Sequence, residues 1–69
     1  MNPKELCPNI TPKLLAQVVA VLEVLPHADY YQEEDAFVIE DSAGIELARG
    51  LSEEQAWAMA CRFLTGKEF

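Results

Sequence analysis

Positive charge is scarce in this sequence. Lysine and arginine together number five against twelve aspartates and glutamates, which gives a formal charge of −7 and a pI near 4.4. A protein that binds nucleic acid directly displaces counterions with clustered lysines and arginines, so direct nucleic-acid binding is not expected. The same shortage argues against docking on an anionic membrane surface. Glycine is scarce too: Gly44, Gly50 and Gly66 stand alone, in none of the patterns that cradle a phosphate. There is one histidine, His27, with no second histidine at ligand spacing, and "DYYQEED" lacks the alternating oxygen ligands and glycine of a calcium loop. No metal and no cofactor is expected.

Two cysteines, Cys7 and Cys61, are too few for a disulfide framework, although one bond between them stays open. Neither suits catalysis. Cys61 falls in the last half of a predicted helix, where the dipole opposes thiolate formation, and Cys7 falls in an irregular lead-in. The start, "MNPKELCPNITPK", has no apolar core of a signal peptide, and "LLAQVVAVLEVL" is too short to span a bilayer. The expected setting is cytoplasmic, with reduced thiols. Three adjacent acids in an exposed turn offer no water-poor pocket in which one carboxyl becomes a general acid. The expectation is therefore not an enzyme, with no catalytic residue.

What the chain does have is apolar residues, 51% of 69. That share is high for one small domain spanning 1–69, because small domains expose most of their surface. Residues 1–10 read as an irregular lead-in punctuated by Pro3 and Pro8. "TPKLLAQVVAVLEVLP" then reads as a helix capped by Thr11, with Pro12 at its first position and Pro26 past its end. At about 100° per residue, Leu14, Leu15, Val18, Val19, Val21, Leu22 and Leu25 share one arc, and Lys13, Ala16, Gln17, Ala20 and Glu23 the other. Val24 falls on the polar arc, as a candidate partner contact.

From Ala28 the period drops to two. "ADYYQ" reads as a first strand turning at "EED". "AFVIED" reads as a second, with Phe37 and Ile39 on one face and Val38 and Glu40 on the other. "IELAR" reads as a third, Ile45 and Leu47 inward, Glu46 and Ala48 outward. "SAG" makes the hairpin between the last two. "LSEEQAWAMACRFLTG" is a second helix, with Ser52 and Gln55 in a capping-box pattern and Gly66 at its end. Its expected inner arc is Ala56, Trp57, Ala60, Phe63 and Leu64, flanked by Met59 and Cys61, with the indole N–H of Trp57 needing a partner. The predicted architecture is α+β, α-β-β-β-α, a small antiparallel meander with both helices on one face. If "ADYYQEED" were a loop, the order would be α-β-β-α.

Nine of the twelve acids lie between Asp29 and Glu54, with Arg49 the one base among them. Acids spread over one sheet face and its turns suit attraction to a basic protein surface. The residues expected to carry that contact are Asp29, Tyr30, Glu33, Glu34, Asp35, Glu40, Asp41 and Glu46, with a tyrosine as anchor because one of the adjacent pair Tyr30 and Tyr31 must face outward. The bland reading of the same acids is a solvated coat that keeps an apolar small domain in solution. The alternative function is a structural homodimer, or a small subunit docked through apolar surface on the first helix and the sheet, with Val24 and Val38 as contacts.

The order α-β-β-β-α resembles that of double-stranded-RNA-binding domains. Those rely on lysines at the start of the second helix, where this chain has "SEEQ", so the resemblance implies a topology and not that function. In size, acidity and want of catalytic residues the chain also resembles small phage or plasmid proteins that block a host nucleic-acid enzyme, anti-CRISPR proteins among them. That resemblance implies an inhibitor whose partner is a nucleic-acid-binding enzyme or complex.

Overall fold

The computed structural model describes residues 10–66. Cys7, most of the lead-in and any pairing of Cys7 with Cys61 lie outside them. Helix α1, Pro12–Val24, is followed by strands β1, Asp29–Glu33, β2, Ala36–Glu40, and β3, Glu46–Gly50, then helix α2, Glu53–Thr65. The sheet is an antiparallel meander in the order β1-β2-β3. This is the expected α-β-β-β-α fold, and "DYYQE" is a strand rather than a loop.

Local chemistry sets the ends of each helix. The Thr11 hydroxyl accepts from the Leu14 amide at 3.2 Å, and Pro12 occupies the first turn. The helix stops at Val24 because Leu25 precedes Pro26 and is pushed out of helical geometry; it adopts φ −128°, ψ 83°. At α2, the Ser52 hydroxyl accepts from the Gln55 amide at 3.1 Å, and the Gln55 side chain accepts in return from the Leu51 amide at 2.7 Å. Gly66 closes α2 in the left-handed region, φ 74°, with its N–H donating to the Arg62 carbonyl. Gly50 is required for a different reason. A Cβ there would come within 2.6 Å of the Ala56 backbone nitrogen, so α2 starts flush against the end of β3.

The core joins one face of the sheet to both helices: Leu14, Val18 and Val21 of α1, Ala56, Trp57, Ala60 and Cys61 of α2, and Ile39 and Ala48 of the sheet. The arcs read from sequence are rotated in two places. On α1 the buried row is Leu14, Gln17, Val18 and Val21, so Gln17 lies inside and Val19 is exposed. On α2, Cys61 is inside and Phe63 outside. The α1 row follows the i, i+3, i+4, i+7 spacing of a single helix stripe, and the α2 row, Ala56, Trp57, Ala60 and Cys61, pairs neighbours one turn apart on the same stripe; both are narrower than the arcs of the sequence reading.

The third strand departs from simple alternation. Ile39 faces Ala48 while Glu40 faces Glu46, so β3 carries one extra residue at Leu47. A bulge of this kind turns two successive side chains toward the same side. Leu47 and Ala48 both pack toward the core, which corrects the outward placement of Ala48, and Ile45 is exposed rather than buried.

Candidate functional site

Pairing register assigns the face of the sheet away from the helices. Tyr30, Ile39 and Ala48 are opposite one another on the helix side. Tyr31, Val38 and Arg49 form the corresponding row on the outer side, because directly paired residues point the same way and neighbours alternate. One step along, Asp29 pairs with Glu40 and Glu40 with Glu46. Three carboxylates therefore cross all three strands in one row on the outer face. Like charges directly opposite on adjacent strands are destabilising, a cost that neighbouring groups must offset.

Two groups temper it. The Tyr31 hydroxyl donates to Glu40 Oε2 at 2.8 Å. Arg49 donates from Nη1 to Glu33 Oε2 at 2.8 Å and from Nε to Glu46 Oε1 at 3.0 Å. The reach from β3 to Glu33 on β1 passes over β2 at Ala36 and Val38, both buried. The guanidinium thus ties the outer strands together above small and branched apolar residues, with its stem available to cover them. The two carboxylates hold Arg49 more firmly protonated than usual through these hydrogen bonds. The hydrogen bond to Glu40 raises the Tyr31 phenol above its ordinary value, because ionisation would set a phenolate beside a carboxylate.

The remaining expected contacts divide by role. Asp29, Glu34 and Asp35 are exposed and their side chains make no hydrogen bond or ion pair among the described residues. Asp41 has a turn to hold: its Oδ1 accepts from the amides of Ala43 at 2.9 Å and Ile45 at 3.0 Å. That arrangement fixes the β2–β3 hairpin, with Gly44 at φ 82°. Tyr30 stands apart from the acids. It is stacked on Phe37 at 6.2 Å and tilted against Trp57 at 5.2 Å on the helix side. The tyrosine on the acidic face is Tyr31, and the sequence alone gave no parity by which to choose between the two.

No family model, curated protein or solved structure matches this chain. The site is accordingly characterised by its own geometry. Val38, expected as an exposed apolar contact, is fully buried and unavailable, while Val24 is exposed as expected. Sequence reasoning missed Arg49 as the centre of the face; being the one base inside the acid-rich interval was the available signal. Among the described residues no group of three His, Cys, Asp or Glu side chains could hold a metal ion. No helix among them is long and apolar enough to cross a membrane.

Proposed function

We propose that the chain is a small acidic, non-enzymatic binding module or inhibitor that engages a basic surface of a larger protein through the outer face of its sheet. The observation that carries the reading is the Asp29–Glu40–Glu46 row. Its electrostatic cost is retained on a rigid sheet rather than on a mobile loop, as expected where a surface is preorganised for recognition. Glu34 and Asp35, in the β1–β2 turn at the other end of the strands, extend the negative field along the sheet, and Tyr31 offers an exposed aromatic ring among carboxylates, the type of group that anchors interfaces. A basic groove built for phosphates would meet carboxylates at the roughly 4.8 Å spacing of adjacent strands. The partner proposed is thus a nucleic-acid-handling protein whose binding surface the module occludes, in the manner of the small phage and plasmid inhibitors it resembles; the setting proposed is cytoplasmic.

The test is capture from bacterial lysate on the immobilised protein, followed by a salt gradient. A basic nucleic-acid-handling protein released at moderate salt is the expected result, since exposed charges are screened over about 8 Å at physiological ionic strength. Retention that ignores salt, or recovery of nothing but the chain itself, contradicts the reading.

A further inference from the structure

A second surface runs along α2 and the end of β3. Leu47, Met59, Arg62 and Phe63 line an open groove between α2 and β3. A neighbouring groove, lined by Arg49, Gly50, Leu51 and Gln55 among others, shares Met59 with it. The apolar residues here are unusually bare: Leu51 is 78% exposed, Phe63 70% and Met59 47%, with Ile45, two residues before Leu47, at 62%. Scaling by the 150–250 Å² of a fully exposed aromatic ring, Phe63 alone offers roughly 100–170 Å² and the patch on the order of 400 Å². A patch of that size falls within the roughly 300–600 Å² of the largest apolar patch on a typical monomer, a patch that is often functional.

We infer that this groove is an isologous interface with a second copy of the same chain. Three observations select that occupant. First, the apolar area is commensurate: a stable interface takes roughly 800 Å² from each partner, a little over half of it apolar, and this patch supplies on the order of 400 Å² of apolar surface. Second, the protruding Phe63 and the groove beside Leu47 and Met59 lie on the same face. A two-fold axis therefore seats each Phe63 in the other copy's groove and uses no further surface. Third, the charges lining the two grooves are Arg49, Arg62 and Asp35, in a chain of net charge −7. Arg49 is paired with Glu33 and Glu46, yet two of the three lining charges are cations, so two acidic copies repel each other less here than they would through the carboxylate row.

The bulge at Leu47 makes the contact one of side chains rather than an added strand. It breaks the regular edge of β3 and turns Leu47 into the groove. Helix α2 is the element offered to the partner copy. The inference does not depend on the proposed function, and salt separates the two: screening weakens binding to a basic partner and strengthens association of two like-charged copies.

The experiment is sedimentation equilibrium of the full chain from micromolar to millimolar concentration, at low and high salt. A monomer–dimer equilibrium is expected, tightening as salt rises. Phe63→Ser should weaken it by about tenfold or more, and Met59→Gln should weaken it in the same direction. Val24→Ser, an exposed site on α1, should leave it unchanged, and circular dichroism should be the same for all four proteins. A monomer throughout the range overturns the inference. So does a dimer indifferent to Phe63 and Met59, or one lost with Val24→Ser.

Discussion

Tyr31 reports the electrostatics of the acidic face most directly. Its phenol titrates above the ordinary 10.0, first because of the hydrogen bond to Glu40. In a Tyr30→Phe background, ultraviolet titration should place its midpoint above that value, and Glu40→Ala should lower it. Because the folded-state pKa is raised, the stabilisation linked to Tyr31 is fully present below pH 10 and lost as pH rises through the folded midpoint. Urea midpoints of the wild type should therefore fall relative to Tyr31→Phe in that alkaline window, and the two proteins should run parallel below it. Gly50 gives a prediction of a different kind. A methyl group 2.6 Å from the Ala56 nitrogen meets backbone on a helix start and cannot be relieved by a rotamer change. Gly50→Ala should cost about 1–3 kcal/mol or more in urea unfolding. Gln17 works in the opposite sense. Its Oε1 is buried with no hydrogen-bond partner among the described residues. Replacing it with methionine should raise stability by about 1 kcal/mol, since the desolvation penalty of the amide disappears.

The helices were legible in the sequence because their punctuation is local. Thr11, Pro12 and Pro26 bracket α1, and Ser52, Gln55 and Gly66 bracket α2; each acts within a few residues of itself. Ser52→Ala should accordingly destabilise the domain by about 1 kcal/mol, read as a shift in urea midpoint with unchanged slope. Facial assignments were less legible because they are settled between elements. Gln17 reads as polar surface by its own chemistry and is buried because α1 meets α2 and the sheet along the Leu14–Val18–Val21 row. On β3, "IELAR" reads as strict alternation, and only pairing with β2 reveals the extra residue that turns Ala48 inward and leaves Ile45 exposed. The acidic face shows the same limit. Its composition is plain in the sequence, whereas the row of Asp29, Glu40 and Glu46, and the choice of Tyr31 over Tyr30, depend on cross-strand register.

For the molecule as a whole, the described residues present two adjoining surfaces: a carboxylate row tempered by a single arginine, and an apolar groove along α2. Arg49 sits where the two meet, pairing with Glu33 and Glu46 and lining the groove beside Leu51. Its ion pairs are half exposed, so Arg49→Gln should change stability by no more than about 1 kcal/mol. The same substitution frees two carboxylates, and a basic partner should then elute from the immobilised protein at higher salt than it does from the wild type. The most direct measurement is quantitative capture from one lysate on the wild type and on a variant carrying Asp29→Lys, Glu34→Lys and Asp35→Lys. These acids hold no structural contact among the described residues, unlike Glu33, so the fold should be preserved by circular dichroism. The account predicts that the captured basic protein drops by at least about tenfold, the loss of roughly 1.4 kcal/mol of attraction or more. Equal capture by a folded variant would contradict it, and the acids would then be a coat that keeps an apolar domain in solution.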